Sequence, residues 1–160
     1  MSQHRANSIG ERTILVCCGT GCQANGSMAV YQAFRKELAD SAGKVRAYAK
    51  STGCNGWCEK GPLVKILPDD ITYCRVKAED VPEIVASLRD GGVVERLLYR
   101  DPVTKKVYRS HRDTNFYKKQ MKIALRNIGE IDPANIRDYL DRGGYTALRK
   151  ALKMSPAEVI

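Results

Sequence analysis

The order of apolar and polar positions along the chain predicts a regular series of strands and helices. The stretch "RTILVCC" is a short, β-rich apolar run that ends at a glycine, which is typical of a strand. From Ser27 onward the period changes, because Val30, Phe34 and Leu38 recur every four residues with charged residues on the other face. This pattern predicts an amphipathic helix that begins at a Ser27 cap and stops at Gly43.

The following segments predict three more strands and a second helix. "KVRAYAK" alternates apolar and polar residues, and the turn-rich "PDD" between "LVKIL" and "ITYCRV" is typical of a β-hairpin. Val81, Ile84, Val85 and Leu88 then recur at helical spacing in a segment that ends at Gly-Gly. The predicted order is β-α-β-β-β-α, which is the order of an α/β protein with a thioredoxin-like fold.

The first two predicted strands carry cysteines at their ends. A strand-helix-strand unit forms a right-handed crossover, so the two strands run parallel and present their carboxyl ends at one edge of the sheet. "VCCGTGC" includes the end of the first strand, and "CNGWC" follows the second. We therefore expect Cys17, Cys18 and Cys22 to lie close to Cys54 and Cys58.

The chain after Gly92 has a different character and predicts a helical C-terminal extension. Residues 99–113 form either a short hairpin around "DPVTKK" or an extended basic connection. The segments "DPANIRDYLDRGG" and "YTALRKALKMSPAEVI" predict further short helices. Helical spacing in "TNFYKKQMKIALRNIG" predicts a helix with one face formed by Phe116, Gln120, Ile123 or Ala124, and Ile128.

Composition limits the classes of protein to which the chain can belong. Its 160 residues can bury one ordinary core without disulfides, and no apolar run approaches the roughly 18 residues of a membrane span. The first residues also lack the apolar stretch of a secretory signal. We expect a cytoplasmic protein with no membrane span, whose six cysteines stay reduced and serve a metal or catalytic site.

The net charge of +9 raises the possibility of a nucleic-acid partner. The excess of lysine and arginine lies mainly after residue 100, whereas all six cysteines precede residue 75. The aromatic residues form no evident stacking platform for bases. We expect no nucleic-acid partner, and a basic nucleic-acid-binding module remains an alternative that salt-dependent binding would reveal.

The cysteine spacing is compatible with several metal and redox sites. Four residues separate Cys17 from Cys22 and three separate Cys54 from Cys58, and either pair suits structural zinc. Neither pair is the C-x-x-C of a thiol-disulfide oxidoreductase, and Asn25 stands where a plant-type ferredoxin requires a further cysteine. A structural zinc-binding interaction domain therefore remains the main alternative to an iron-sulfur site.

Four thiolates from two glycine-rich loops suit an iron-sulfur cluster, because soft sulfur ligands bind iron and backbone N–H groups stabilise its negative charge. Glycines allow such loops to wrap closely, and six of them flank the cysteines: Gly19, Gly21, Gly26, Gly53, Gly56 and Gly61. Cys18 is an alternative to Cys17 as the first ligand. Cys74 lies in a predicted strand and is expected to have no chemical role.

Two sequence segments resemble known redox proteins. "CCGTGCQANGS", together with "STGCNGWCEKGPLVKILPDDITYCRV", resembles the thioredoxin-like [2Fe-2S] ferredoxin domain with its C-x4-C and C-x3-C pairs. "FYKKQMKIALRNIGEIDPANIRDYLDRGGYTALRKAL" resembles the opening of the flavin-binding subunit of NAD-linked hydrogenases, formate dehydrogenases and relatives of respiratory complex I. These two pieces occur in this order in hydrogenase-type subunits.

The resemblance implies a [2Fe-2S] cluster held by Cys17, Cys22, Cys54 and Cys58. It implies one-electron transfer within a multisubunit NAD-linked redox enzyme, with other redox subunits or domains as partners and a homodimer as a further possibility. The resemblance divides the chain into a flexible N-terminal tail (1–12), a thioredoxin-like [2Fe-2S] ferredoxin domain (13–98), a connection (99–113) and a helical segment like the start of a flavin- and NADH-binding subunit (114–160).

No catalytic site is expected in these 160 residues. In the resembling subunits the FMN and NAD sites follow the segment that ends this chain, and the loop at Gly19 misses the G-x-G-x-x-G fingerprint because Ala24 stands at its third glycine. The chain is expected to be either an N-terminal piece or a short relative of such a subunit. His4 and His111 are not expected to bind metal, and Trp57 either shields the cluster or only packs.

Overall fold

The computed structural model of the chain describes residues 11–41 and 44–160, and its elements follow the predicted order as far as the second predicted helix. The part of the chain up to Arg89 contains β1 (Arg12–Cys17), α1 (Thr20–Ala24), α2 (Ser27–Asp40), β2 (Ala47–Thr52), β3 (Val64–Leu67), β4 (Ile71–Tyr73) and α3 (Val81–Arg89). The remainder contains β5 (Tyr99–Arg100), β6 (Val107–Tyr108), α4 (Ile136–Asp141), α5 (Thr146–Ala151) and α6 (Pro156–Val159). This mixed α/β architecture confirms the predicted fold class.

The four strands β1 to β4 form one sheet in the order β2-β1-β3-β4. β1 and β2 are parallel, with Cys17 opposite Thr52, whereas β3 pairs antiparallel with β1 and with β4. The crossover through α2 and the β3-β4 hairpin are both confirmed. Because Cys17 and Thr52 end adjacent parallel strands, the loops that follow them begin at the same edge of the sheet.

The main apolar core lies between one face of the sheet and the helices α2 and α3. Val81, Ile84, Val85 and Leu88 are all buried, which confirms the predicted inner face of α3. Phe34 of α2 is fully buried in the same core. Burying a side chain of this size contributes about 1.5–3 kcal/mol, so this layer fixes the sheet and the two cysteine loops attached to it.

The opposite face of the sheet carries polar side chains that are nevertheless buried. Lys65 of β3 and Thr72 of β4 are only 3% and 5% exposed. The C-terminal extension covers them: Glu130 forms an ion pair with Lys65, and His111 hydrogen-bonds Thr72 at 3.1 Å. The hydroxyl of Thr52 donates to the Ile131 carbonyl at 2.7 Å. The extension is therefore attached to the sheet mainly by polar contacts.

The predicted helix over 114–129 is wrong. Only a single 3₁₀ turn, Tyr117–Lys119, forms there, and residues 120–129 run as turns and irregular chain. Phe116 and Ile123 on the predicted apolar face are 64% and 75% exposed, so this face has no core to bury against. The segment is held instead by contacts with the sheet and the second cysteine loop.

Other boundaries differ less from the prediction. The prediction that Ser27 caps the first long helix is wrong, because Gly26 occupies the cap position and Ser27 is the first helical residue. Gly43, the predicted stop, lies outside the described residues. Of the predicted tail over 1–12, residues 1–10 with His4 lie outside the described part, whereas Arg12 already belongs to β1. Of the two alternatives for residues 99–113, the hairpin is confirmed by the pairing of β5 with β6.

The C-terminal helices are short, as predicted for this part of the chain. Asn135 caps α4, since its side chain accepts from the Arg137 N–H at 3.1 Å. Ser155 and Glu158 form a capping box at the start of α6. Within the described segments, the model contains no helix of the length and apolar character that crossing a membrane requires.

His111 makes the stability of this arrangement depend on pH. The pKa of His111 is lowered to about 4 from its ordinary 6.5, with burial as the largest cause. The nearby positive charges of Lys65, Arg112 and Lys122 contribute to this lowering, and the negative charge of Asp70 opposes it. Between these values the unfolded chain binds a proton that the folded chain excludes, so stability is complete above pH 6.5 and decreases as pH falls towards 4.

We expect the free energy of unfolding to fall by about 1–2 kcal/mol over this range, since solvent screens part of the interaction between the ring and the surrounding charges. Urea titrations from pH 7 to 4.5 measure it. His111→Gln, which can still hydrogen-bond Thr72, should remove this part of the pH dependence. An unchanged slope in His111→Gln would assign the effect to other groups.

Candidate metal centre

The first cysteine loop places two thiols in the interior. Cys17 ends β1 and Cys22 lies in α1, and both are 1% exposed. Together with Leu63 and Cys74 they form a second, smaller apolar cluster at the edge of the sheet. Burial, followed by contact with Cys17, raises the pKa of the Cys22 thiol to about 12. A bound cation would favour the thiolate of Cys22, which burial alone disfavours.

The second cysteine loop places two thiols nearer the surface. The Sγ atoms of Cys54 and Cys58 are 3.7 Å apart, and the Gly56 N–H donates to the Cys54 sulfur at 3.3 Å. Tetrahedral thiolates about 2.3 Å from one metal are about 3.8 Å from each other, so this separation is that of two ligands on one ion. Cys58 is exposed, in contrast to the buried Cys17 and Cys22.

The two loops pack against each other through glycines that leave no room for a side chain. A Cβ on Gly19 would lie 2.7 Å from the Cβ of Cys54, and one on Gly61 would lie 2.6 Å from the sulfur of Cys22. The Cys17 thiol also donates to the carbonyl of Gly53 at 3.6 Å, immediately before Cys54. The structure thus brings the two predicted cysteine groups together at one edge of the sheet.

The four thiols form two pairs rather than one tight group. Cys17 and Cys22 lie in one buried cluster, whereas the Sγ atoms of Cys54 and Cys58 lie 3.7 Å apart in the second loop. Within residues 11–41 and 44–160, no three Cys, His, Asp or Glu side chains converge closely enough to hold a single metal ion.

The residues present fit a binuclear iron-sulfur cluster. Such a cluster has two irons with two cysteine thiolates on each, which matches two separate pairs of sulfurs. Proximity of Cys54 raises the pKa of Cys58, and burial raises that of Cys22, so a cationic centre between the loops would stabilise thiolates that the protein alone leaves protonated. Because the glycines carry no side chains, the sulfur atoms rather than other side chains face the place between the two loops where such a centre would bind.

The remaining two cysteines lie in other environments. Alternation along β1 places Cys18 on the opposite face from Cys17, where it packs against the main core and its thiol lies near Ser27. Cys74 is buried beside Cys17 and Cys22, and burial raises its pKa to about 12. That Cys74 has no chemical role stays a prediction.

Aromatic side chains cover one side of the second loop. The indole of Trp57 contacts the Tyr99 and Tyr117 rings edge to face, with centroids 4.6 and 5.6 Å apart. Trp57 also packs against the apolar cluster that contains Cys17 and Cys22. Trp57 is therefore partly buried and packed beside the buried cysteines, and its shielding of a cluster stays a prediction.

Several contacts from the C-terminal extension reach the second loop, and sequence reasoning missed them. The Tyr117 hydroxyl donates to the Asn55 carbonyl at 3.2 Å, between Cys54 and Cys58. Gly129 has a positive φ of 74°, and a Cβ there would lie 2.0 Å from the Asn55 side chain. The helical spacing around Tyr117 gave no signal of these long-range contacts.

The two lysines near the cysteines differ in environment. Lys60 lies partly exposed with its Nζ 5.6 Å from the Tyr99 ring centre. Lys65 is buried and paired with Glu130, so it presents no free charge to solvent.

Comparison with known proteins points to one family for the first half of the chain. Residues 2–89 match the family model described as thioredoxin-like [2Fe-2S] ferredoxin. A 2Fe-2S ferredoxin of Clostridium pasteurianum is 36% identical over 95 residues, which cover 52% of this chain and 91% of that ferredoxin.

Two further similarities are to a solved structure and to a subunit of a hydrogenase. The crystal structure of the thioredoxin-like [2Fe-2S] ferredoxin from Aquifex aeolicus superposes with a TM-score of 0.52 at 33% identity, over 55% of this chain and 95% of that one. The NADP-reducing hydrogenase subunit HndC of Solidesulfovibrio fructosivorans is 53% identical over 47 residues, which are 29% of this chain and 10% of that subunit.

Proposed function

Because this chain belongs to the thioredoxin-like [2Fe-2S] ferredoxin family, whose cofactor is a [2Fe-2S] cluster, we propose that Cys17, Cys22, Cys54 and Cys58 hold that cluster. The observation that carries this proposal is the convergence of two cysteine pairs from the ends of adjacent parallel strands. The Cys54–Cys58 separation of 3.7 Å supports it, as does the burial of Cys17 in the same small cluster as Cys22 of α1.

The cluster supplies reversible one-electron chemistry when bound, and the chain's own residues set its surroundings. Cys17 and Cys22 are buried in a small apolar cluster, which shields the inner pair from solvent. Cys58 at the surface leaves the outer pair accessible to a redox partner. Gly56 donates an N–H to the Cys54 sulfur, and such hydrogen bonds stabilise the reduced, more negative state.

The cluster proposal is tested by analysis of the chain purified without oxygen. We expect two irons and two acid-labile sulfides per chain, visible absorbance, and on reduction an EPR signal that integrates to one spin per two irons. A colourless protein with one zinc per chain would contradict the proposal and would favour a structural zinc domain. The metal-free chain is then reconstituted with zinc in one sample and with iron and sulfide in another. Circular dichroism shows which of the two restores the native spectrum.

We further propose that the chain serves an NADH-oxidising or NAD-reducing flavoprotein subunit of a multisubunit redox enzyme. The stretch shared with the NADP-reducing hydrogenase subunit supports this assignment, as does the extension that covers the sheet and reaches Asn55 in the second loop. On this proposal residues 114–160 form the start of the flavin- and NADH-binding part, and the FMN and NAD sites belong to that parent subunit or enzyme. A homodimer of this chain stays a prediction for sedimentation analysis.

A redox titration tests the NAD-linked assignment separately from the cluster itself. Thiolate-only [2Fe-2S] centres of the plant type lie near about −400 mV, which suits exchange of electrons with a nicotinamide couple. We expect a midpoint potential in that region. A midpoint between about −150 and +300 mV, the range of Rieske centres, would contradict an NAD-linked role while leaving the cluster in place.

A further inference from the structure

A concave pocket in the C-terminal extension has an unusual concentration of positive charge. It has a volume of about 430 Å³ and lies beside the sheet, between the turns that follow Ser110 and the end of α4. Among its described lining residues one is a carboxylate, Glu130, and five are cationic: Arg112, Lys118, Lys122, Arg126 and Arg142. The uncharged part of the wall includes the ring of Tyr117 and the side chain of Ile128.

The carboxylate in this pocket is already engaged. Glu130 forms ion pairs with the buried Lys65 and with Arg112, the latter at 2.7 Å, and lies 3.8 Å from Arg142. In the part of the chain that the structure describes, no carboxylate lies within ion-pair distance of Lys118, Lys122 or Arg126. The charge of these three side chains is therefore not neutralised within the fold.

Cationic side chains also lie near the buried His111. His111, which also lines the pocket, has a lowered pKa, first because it is buried and then because Lys65, Arg112 and Lys122 repel a further positive charge. The Nζ of Lys122 lies 5.8 Å from the Tyr117 ring centre, so this ammonium faces the wall of the pocket. Cations held together in a concave site repel each other, and an anion bound among them relieves that repulsion.

We propose that this pocket binds a polyphosphate anion, the group shared by inorganic polyphosphates and nucleoside polyphosphates. Guanidinium groups such as Arg126 bind phosphate oxygens in pairs, and lysines add compact point charges. Three unpaired cations exceed what a single phosphate requires. A volume of about 430 Å³ lies within the range of small-molecule sites and exceeds the space for one phosphate. The site is separate from the four cluster cysteines, none of which lines it.

The test is calorimetric titration of the cluster-containing chain with tripolyphosphate at two ionic strengths. We expect saturable binding with one site per chain. The double variant Lys122→Gln/Arg126→Gln should weaken it at least tenfold. The matched control, Lys36→Gln/Arg89→Gln, removes two exposed cations on α2 and α3 and should bind as the native chain does. Unchanged visible absorbance and circular dichroism establish that both variants fold and hold the cluster.

Titrations with other ligands distinguish a nucleotide from an inorganic polyphosphate and test the proposal further. If ATP binds more tightly than tripolyphosphate and adenosine does not bind, the ligand is a nucleotide. If ATP and tripolyphosphate bind equally, the inorganic phosphate chain is sufficient for binding. Equal weakening in the control variant would show a general charge effect and overturn the pocket. Binding of polyglutamate without tripolyphosphate would also overturn it, in favour of docking by an acidic protein.

Discussion

Replacing Cys17 by alanine is expected to abolish the cluster. Cys17 is 1% exposed and lies beside Cys22, on the side of β1 that faces the second cysteine loop, so its loss leaves one iron with a single protein thiolate. We expect iron to fall from two per chain to nearly none, together with the visible absorbance and the EPR signal. Anaerobic purification with iron and sulfide analysis measures each of these.

The neighbouring cysteine provides the matched control. Cys18→Ala makes the same change one residue along the chain but on the opposite face of the sheet, where the thiol packs against the main core. We expect it to retain two irons and an unaltered spectrum, with a loss of about 1 kcal/mol in unfolding free energy from the shortened side chain. Loss of the cluster in Cys18→Ala, with retention in Cys17→Ala, would identify Cys18 as the first ligand.

The choice between these two cysteines shows how far the sequence reaches. The apolar run of β1 predicts a strand, and alternation along a strand places Cys17 and Cys18 on opposite faces. Which face leads to the second loop depends on the parallel pairing with β2 and on the side occupied by α2 and α3. Spacing alone therefore leaves the first ligand open, and the three-dimensional arrangement supports the proposal that it is Cys17.

The elements that could be predicted are those in which local pattern and tertiary packing agree. The inner face of α3 is the clearest case, because Ile84 and Val85 both recur at helical spacing and enter the main core. The segment after Thr114 shows the opposite. Its spacing predicts a helix, yet Tyr117 and Glu130 are fixed by distant partners in the second loop and in β3, and these contacts determine the chain path.

The burial of the polar face of the sheet could not be predicted from the sequence, because the residues that cover it are distant in the chain. Lys65 and Thr72 alternate with buried apolar residues, which is the usual pattern of a strand with one face in water. In the structure both side chains are buried under residues from the extension. A polar strand face becomes an interior surface here because the covering segment supplies a carboxylate and an imidazole in matching positions.

The Glu130→Gln variant is expected to destabilise the chain by about 3–5 kcal/mol. Lys65 is 3% exposed and its ammonium is paired with Glu130, so the substitution leaves a buried positive charge without a counter-ion. Burial alone would raise the pKa of Glu130, but the hydrogen bond and charge of Lys65 reverse this and lower it below the ordinary 4.5. The carboxylate therefore stays ionised in the folded protein near neutral pH.

Urea titration of the cluster-containing chain without oxygen measures the expected loss. The control is Glu79→Gln, because Glu79 and Lys77 are 3.8 Å apart and both 72% exposed, a geometry worth less than about 0.5 kcal/mol. The double variant Lys65→Met/Glu130→Leu should recover most of the stability, since an apolar pair of similar volume avoids the cost of burying charge. A loss in Glu130→Gln no larger than in the control would contradict a buried pair.

The same substitution tests whether the extension supports the cluster loop. Glu130 is adjacent to Gly129, which packs on Asn55, and Asn55 accepts a hydrogen bond from Tyr117. If the ion pair holds this part of the extension in place, Glu130→Gln should release iron to a chelator several times faster than the native chain, whereas Glu79→Gln should not. If Glu130→Gln loses stability but releases iron at the same rate as the native chain, Glu130 stabilises only the covered face of the sheet. The second cysteine loop would then be held in place by its own turns.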